Sequence, residues 1–287
     1  MKTTTKHFYL ASVVIIATLC GLSRNAAAQT PPQPAGVRAA VADFNNDGHP
    51  DLVLQNPETH RLAIWYLNNN AYIRGAYAPT VQSGWNFITV ADFNRDGHPD
   101  IELFKPTTRQ TAIWYLDDFT YLSAVFGPTL PAGWEPFLAA DMNGGGSPDY
   151  VLGNLSTNQT AIWYLNNNVR VSTAYGPSKP AGWDVIAVAD FNHDSHLDYV
   201  LFNQMTRQTG IWYLNNNVLL SSVAGPTLPA GWALVAAADF DGNGQQDFLL
   251  FNANSHQTGI WYLNGNAFVH ASYGPTLPST GWTLLGP

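Results

Sequence analysis

Residues 43–51 read DFNNDGHPD, and variants of this loop, D-x-N-x-D-G-x-x-D, return four more times at a spacing of 49 residues. The five copies start at Asp43, Asp92, Asp141, Asp190 and Asp239. Self-similarity at a fixed period of roughly 20–50 residues is the signature of a chain built from copies of one supersecondary unit. The architecture of the whole chain can therefore be predicted from one unit.

The unit that spans residues 83–129 illustrates the repeat. Apolar, β-branched and aromatic stretches, which favour strands, alternate with turn-forming residues. Four strands are predicted, at Trp85–Ala91, Ile101–Phe104, Gln110–Leu116 and Thr120–Phe126. The acidic loop joins the first strand to the second, and a Gly- and Pro-rich connector, Gly127–Gly133, leads into the next unit.

Four short antiparallel strands in about 50 residues are typical of one blade of a β-propeller. The third strand, for example Ala161–Leu165, is apolar on both faces, which fits a sheet covered on both sides by neighbouring blades. An open solenoid is the alternative, but its ends would need polar caps, and none is evident in the sequence. We predict an all-β fold, a five-bladed β-propeller of four-stranded antiparallel blades.

The sequence leaves the closure of the ring open. Val37–Ala42 resembles the first strand of a unit, and so does Gly281–Leu285, which stands where a sixth unit would begin. One of these two segments is expected to complete the ring by pairing the terminal strands, and the other to be left over.

The first residues have the pattern of a secretory signal peptide. Lys2 and Lys6 form a basic start, Phe8–Leu22 is apolar, and three successive alanines then offer the small residues that a signal peptidase needs. The apolar run is shorter than the ~20 residues of a membrane-spanning helix. We therefore expect a cleaved signal at residues 1–28 and a single propeller domain at residues 29–287. The protein would be secreted, or periplasmic in a bacterium, without membrane insertion after cleavage.

Charge and cysteine content limit the classes of partner and of stabilising bond. The formal net charge is −8, and 14 of the 20 Asp and Glu side chains lie in the five loops. An acidic surface without basic clusters argues against nucleic acid and anionic membranes as partners. The single cysteine, Cys20, lies in the predicted signal, so the mature chain must derive its stability from its core and from bound metal instead of disulfides.

The loops carry the ligands that a hard cation requires. Ca²⁺ takes six to eight oxygens, here from side chains at loop positions one, three, five and nine and from the backbone carbonyl at position seven, while glycine at position six permits the sharp turn. The predicted ligands are, loop by loop, Asp43, Asn45, Asp47, His49 and Asp51; Asp92, Asn94, Asp96, His98 and Asp100; Asp141, Asn143 and Asp149; Asp190, Asn192, Asp194, His196 and Asp198; and Asp239, Asp241, Asn243, Gln245 and Asp247. We expect Ca²⁺ in up to five loops.

Two loops depart from the pattern. The third has Gly145 at a ligand position, and the fourth has Ser195 at the turn. We expect loop three to bind the cation most weakly, so that Asp96→Ala costs more stability than Asp149→Ala.

Turn capping, an EF-hand and a zinc site are weaker hypotheses for the loops. Asp and Asn side chains that merely cap tight turns would account for a single loop, but five in register favour a metal. The loops are not EF-hands, because the twelfth position, a bidentate Glu in an EF-hand, is leucine in all five. Zinc is not expected, because the sequence has no Cys/His cluster.

The loops DFNNDGHPD, DFNRDGHPD and DFDGNGQQD, each after a Val- or Ala-rich strand, closely resemble those of FG-GAP/VCBS repeats. Such repeats form the calcium-binding propeller blades of integrin α-subunit heads and of many secreted bacterial proteins. The resemblance covers essentially all of the chain after the predicted signal, and it implies Ca²⁺ in the loop between the first and second strands of each blade. Propellers of this family usually have seven blades, so a ring of five departs from it.

Each unit has two tryptophans. One lies in an I-W-Y-L strand, where packing between blades is expected. The other follows the connector glycine at a blade edge, where it could stack on a sugar ring. The predicted ligand-binding residues are Trp85, Trp134, Trp183 and Trp232. Hydrogen bonds to the sugar would come from the Asn-rich hairpin turns and from Gln110, Gln159, Gln208 or Gln257.

We predict a non-catalytic binding module that binds glycans at repeated weak sites, which gain avidity on a dense surface. The alternative is a protein-binding or cell-adhesion module of the integrin-head type, with a cell-surface or extracellular protein as partner. Near-identity of the units favours the glycan, since a protein partner would need blades that differ. A hydrolase is least favoured, because the six carboxylates outside the loops are scattered over different units.

Overall fold

The computed structural model of the protein describes residues 38–278 and 281–286. These residues form strands, turns and bends, and none of them belongs to a helix that is long and apolar enough to cross a membrane. The predicted signal at residues 1–28 lies outside the described residues.

Five four-stranded antiparallel sheets form the blades, and each pairs its strands in chain order. The strands are Val41–Ala42, Asp51–Gln55, Arg61–Asn68 and Ala71–Thr80 in blade 1; Asn86–Ala91, Asp100–Lys105, Gln110–Asp117 and Thr120–Thr129 in blade 2; Trp134–Ala140, Asp149–Asn154, Gln159–Asn166 and Val169–Ser178 in blade 3; Trp183–Ala189, Asp198–Asn203, Gln208–Asn215 and Val218–Thr227 in blade 4; and Ala233–Ala238, Asp247–Asn252, Gln257–Asn264 and Ala267–Thr276 in blade 5. The predicted all-β, five-bladed propeller is confirmed.

The fourth strand runs three residues further than the sequence predicts. In blade 2 it continues to Thr129, which pairs with Gln110 on the third strand. The hydroxyl of Thr111 donates to the carbonyl of Pro128 at 2.8 Å, and a Cβ on Gly127 would lie only 2.4 Å from that hydroxyl oxygen. In blade 2, glycine therefore precedes the connector proline because the hydroxyl of Thr111 leaves no room for a Cβ.

Both terminal segments complete blade 1, so the expectation that one would be left over is wrong. Thr283 pairs with Gln55, in the position that Asn86 has in blade 2. Further along the innermost strand of blade 1, Val41 pairs with Leu52. The two segments also pair with each other, Arg38–Ala39 against Leu285–Gly286. In the other blades the innermost strand is continuous and has a β-bulge between the positions that correspond to Thr283 and Val41. In blade 1 the C-terminal segment ends and the N-terminal segment begins at that place.

The hydrophobic core consists of layers between adjacent blades. Along the second strand of blade 1, Leu52 and Leu54 pack towards blade 5, whereas Val53 packs towards blade 2. Both faces of this strand are buried, which is the arrangement that the sequence of the third strand predicted for the blades. Burial of both faces by neighbouring blades is what a closed ring provides and an open solenoid lacks at its ends.

Asn-rich hairpin turns connect four of the blades to the preceding blade by hydrogen bonds. The amide of Asn168 in blade 3 donates to the carbonyl of Phe126 in blade 2 at 3.0 Å. The hydroxyl of Tyr115 donates to the side chain of Asn167, and that of Tyr262 to Asn69, across the junction of the last and first blades. These contacts repeat around the ring, so the turns have a structural role.

Candidate metal loops and interblade clefts

The five acidic loops lie at the same end of the propeller and share one hydrogen-bond pattern. In loop two the backbone N–H of Asp96 donates to Asp92 and to Asn94, at 3.1 and 3.0 Å, and Gly97 donates to Asp92 at 2.9 Å. The side-chain oxygens at positions one and three therefore converge on the inside of the loop. The structure brings the predicted ligands at positions one and three of each loop together and keeps the five loops separate.

The aspartate at position nine is completely buried in every loop. One oxygen of Asp100 accepts from the backbone N–H of Phe93 and the other from Leu116 on the third strand, both at 3.0 Å. The counterparts Asp51, Asp149, Asp198 and Asp247 accept the same pair of hydrogen bonds. This residue holds the loop against the blade, a role that the sequence did not indicate.

Burial raises the pKa of the position-nine carboxyls against the opposing effect of those hydrogen bonds. For Asp100 desolvation raises the pKa to about 6, and the carboxylate of Asp96 adds to the rise. The buried position thus disfavours the ionised carboxylate, which is the form that binds a cation. A bound cation would in turn stabilise that ionised form. The loop is therefore expected to become more stable when a cation neutralises it.

Loop five is the loop in which three carboxylates lie close together. Oxygens of Asp239, Asp241 and Asp247 lie within 4.8 Å of one another, the one such cluster among the described residues. Calcium–oxygen distances are about 2.3–2.6 Å, so one ion can touch oxygens up to about 5 Å apart. The other loops have asparagine at position three, which supplies the same oxygen without the charge.

The third loop differs from the rest in charge as well as in ligand number. Its position five is Gly145, so only the backbone is present there, and the carbonyl of Gly145 accepts a hydrogen bond from the guanidinium of Arg95 at 2.9 Å. Arg95 also donates to Ser147 at 2.5 Å. A positive side chain beside the loop opposes a bound cation, which adds to the expected weakness of this site.

The fourth loop keeps the shared backbone despite its serine. Ser195 adopts a φ of 70°, the left-handed region that glycine occupies in the other loops, and its N–H donates to Asp190 at 2.9 Å. The predicted ligands Asp194 and Asp198 hold the same places as in loop two. The serine therefore costs backbone strain and leaves the donor set intact.

A second repeated feature is a cleft between neighbouring blades, which runs along the third and fourth strands. We define the interblade cleft as the groove bounded by the connector tryptophan, the I-W-Y-L tryptophan and the fourth strand of the same blade. In blade 2 these are Trp85, Trp114 and Phe126, around a cavity of about 510 Å³. Equivalent cavities of about 240, 300 and 290 Å³ lie in blades 1, 5 and 3.

The connector tryptophan lies over a small residue of the third strand. Ring atoms of Trp232 and Trp183 come within 3.2 and 3.4 Å of where a Cβ on Gly259 or Gly210 would stand. In blade 2 the corresponding residue, Ala112, lines the cleft together with Trp85. The small residue in each T-(A/G)-I-W-Y-L strand therefore makes room for the indole.

The connector tryptophan is faced by an exposed aromatic residue of the fourth strand in four blades. Ring centroids lie 6.1 Å apart for Trp85 and Phe126, and 5.8 Å apart for Trp134 and Tyr175. The other two pairs, at 6.1 and 6.0 Å, are Trp232 with Tyr273 and Trp282 with Tyr77. In blade 4 this position is Ala224, so Trp183 lacks an aromatic partner there.

Part of the cleft was not predicted from the sequence. The predicted set omitted Trp282, which the composite closure of blade 1 brings into register, and all four fourth-strand aromatics. A signal for the latter exists, because each stands directly before the Gly-Pro or Ala-Pro that begins the connector. The I-W-Y-L tryptophans pack between blades as expected, with Trp163 only 4% exposed, but they also form one wall of the cleft.

Three of the four glutamines that were expected to hold a sugar are already engaged. The amide of Gln110 donates to the carbonyl of Gly127 at 2.5 Å, and its oxygen accepts from Thr129 at 3.1 Å. Gln208 and Gln257 make the same contacts. These glutamines tie the third strand to the fourth, so hydrogen bonds to a ligand must come from other groups.

Comparison with known proteins identifies the repeat. The model of the FG-GAP-like repeat family matches residues 26–101 and 141–201. No curated protein matches the chain.

Three solved structures that are similar to the chain are distant from it in sequence. A protein of unknown function from Bacteroides caccae is 16% identical with a TM-score of 0.44, over 77% of this chain and 72% of that one. The Tc holotoxin pore of Photorhabdus luminescens is 18% identical with a TM-score of 0.46, over 87% of this chain and 12% of that one. Raptor of Chaetomium thermophilum is 10% identical with a TM-score of 0.42, over 84% and 21%. The chain thus spans less than a quarter of the latter two.

Proposed function

Because this chain is a five-bladed propeller of FG-GAP-like repeats, we propose that it is a calcium-stabilised binding module whose interblade clefts bind glycans. The FG-GAP propeller fold is, in general terms, that of a binding module. The observation that carries the glycan proposal is the repeated cleft, in which a connector tryptophan and an exposed aromatic ring stand about 6 Å apart in four blades. Exposed aromatic faces beside a concave surface suit the apolar faces of sugar rings.

Each cleft also has polar groups at its edge. Tyr77, Tyr175 and Tyr273 carry hydroxyls, and Gln82 adds an amide in blade 2, where the other connectors have a proline. The clefts are shallow and open, so one cleft alone would bind weakly. Four clefts around one ring would gain affinity on a surface that presents many copies of the ligand.

A glycan array probed in millimolar Ca²⁺ tests the proposal, followed by titration of the best binder against single variants. Trp134→Ala removes one wall of a complete cleft and should weaken multivalent binding, whereas Trp183→Ala, in the blade without the aromatic partner, should change it little. Circular dichroism serves as the folding control for both variants. Failure of the intact protein to bind any glycan would reject the proposal.

The calcium part of the proposal has its own test. Ca²⁺ that binds only the folded chain stabilises it by mass action, by about 2.7 kcal/mol per loop at a concentration 100 times the dissociation constant. The melting midpoint should therefore fall when EDTA replaces millimolar Ca²⁺. A midpoint that is the same in both buffers would contradict a structural cation.

One observation favours the adhesion module as a second candidate. The fourth strands expose large apolar side chains, among them Ile73, Leu122, Val171, Leu220 and Val269. Contiguous exposed apolar surface marks protein interaction sites in many proteins. Capture of an extracellular protein by a chain that binds no glycan, with loss of capture in Leu122→Asp, would favour this candidate.

We further propose that the chain is exported and cleaved before Gln29, on the basis of its N-terminal sequence pattern. Mass spectrometry of the protein recovered outside the cytoplasm should give the mass of residues 29–287. Recovery of the full-length mass from the same fraction would contradict cleavage.

A further inference from the structure

We propose that the interblade cleft of blade 3 selects acidic sugars, such as uronic acids, through Arg170. The inference rests on the proposed glycan-binding function and assigns a substrate class to one of its clefts. It arises from a single position at which the clefts differ.

That position, near the start of the fourth strand, packs against the I-W-Y-L tryptophan in every cleft where the contact is seen. In blades 1, 2 and 5 it is aromatic, and Tyr72, Tyr121 and Phe268 lie 5.1, 5.5 and 4.6 Å from their tryptophans. In blade 3 it is Arg170, whose guanidinium carbon lies 4.4 Å from the centre of the Trp163 ring. A cation thus takes the place of a neutral ring in the wall of this cleft.

The guanidinium of Arg170 has capacity to bind a ligand. It is exposed, it lines the cavity of about 290 Å³, and within the described part of the chain it makes no hydrogen bond and no ion pair. The guanidinium lies over the Trp163 ring, and its N–H groups are not engaged by other described residues. A planar guanidinium edge matches a carboxylate in bidentate geometry, which a tyrosine or leucine at this position does not offer.

The surroundings do not oppose an acidic ligand. No carboxylate lines the clefts of blades 1, 2, 3 or 5 within the residues that the structure describes. In the blade 3 cleft Trp134 and Tyr175 supply the stacking faces and Thr173 a hydroxyl. Two other cations touch cleft aromatics, Arg61 on Tyr77 and Lys105 near Trp85, but neither lines a cavity.

Pairs of sugars that differ only at C6 isolate the role of the charge. Glucuronate and galacturonate would be titrated against glucose and galactose in millimolar Ca²⁺, with binding followed by the indole N–H signals of Trp134 and Trp85 in nuclear magnetic resonance spectra. Trp134 should respond to the acidic sugars at concentrations about five- to tenfold lower than to the neutral ones, and added salt should reduce this difference. Trp85, in the cleft of blade 2, should show no such preference.

Variants at the deciding position complete the experiment. Arg170→Gln should abolish the preference at Trp134 while neutral sugars still bind, Arg170→Lys should keep part of it, and Tyr121→Arg should confer a preference on blade 2. Equal response to acidic and neutral sugars in the intact protein, or a preference that survives in Arg170→Gln, would overturn the role of Arg170 and leave glycan binding in place. No response to any sugar in any cleft would overturn both proposals.

Discussion

The acidic loops occur in all five blades and complete interblade clefts in four, and the two features repeat with very different strictness. All five loops keep the same backbone hydrogen bonds, even where Gly145 or Ser195 departs from the pattern. The clefts vary in the side chain at one or two positions, from Phe126 and Tyr175 to Ala224. A loop is held by buried contacts with its own blade, whereas the variable wall of the cleft consists of exposed side chains of the fourth strand.

The largest expected effect concerns the buried end of the loops. Asp149 is completely buried and accepts backbone hydrogen bonds from Met142 and Leu165 at 3.1 and 2.9 Å. Asp149→Ala leaves both donors without a partner and should cost about 3 kcal/mol of stability. Asp96→Ala, at an exposed position, should cost less in EDTA, which reverses the ranking expected from the sequence. Urea denaturation of both variants in EDTA measures the difference, and a larger loss for Asp96→Ala would restore the original ranking.

A second prediction concerns a buried carboxyl on the strand that follows loop two. Glu102 stands where the other blades have Val53, Val151, Val200 and Leu249, and it is completely buried without a hydrogen-bond partner among the described residues. Glu102→Val should stabilise the protein by about 2 kcal/mol, because a buried ionisable group without a partner costs free energy. Chemical denaturation with a Val53→Ala control, which should destabilise, measures the effect.

The same substitution has a predictable pH dependence. Burial raises the pKa of Glu102 well above its ordinary value of 4.5, so the folded chain favours the neutral carboxyl. The contribution of Glu102 to the free energy of unfolding is therefore most favourable below pH 4.5, and it decreases as the pH rises through the raised pKa. The advantage of Glu102→Val over the wild type should therefore grow from pH 4.5 to pH 8. A constant difference would show that the carboxyl is not desolvated.

A third prediction tests how strictly the loop backbone is required. Ser195 is held in a left-handed conformation that glycine adopts freely, so Ser195→Gly should raise stability by about 1 kcal/mol. The control is Gly97→Ser in loop two, which should lower stability by a similar amount. Thermal melting of the two variants would contradict the prediction if both changes had the same sign.

The smallest expected effect would make the least complete cleft resemble the others. Ala224→Tyr supplies the missing partner of Trp183 and should improve monovalent sugar binding in blade 4 about threefold, followed by the indole signal of Trp183. Tyr175→Ala in blade 3 is the matched control, in which sugar binding should weaken. If Ala224→Tyr leaves the Trp183 signal unresponsive to sugar, the fourth-strand aromatic is not part of the binding site.

The sequence by itself determined the repeat, the five blades and the position of the acidic loop in each blade. These features are local, since a loop of nine residues and the strands beside it carry their own turn chemistry and apolar pattern. The strands predicted for residues 83–129 match those of the structure to within one residue at each end, apart from the extension of the fourth to Thr129.

Only the tertiary structure decided the features that depend on distant contacts. Thr283 and Val41, at opposite ends of the chain, share one strand position because ring closure brings both termini to Asp51–Gln55. The buried role of Asp149 and the cleft pair of Trp134 and Tyr175 likewise join residues of different strands, whose approach no local pattern records. The physical reason is that local sequence fixes which strand forms, whereas burial and side-chain contact depend on which strand becomes its neighbour.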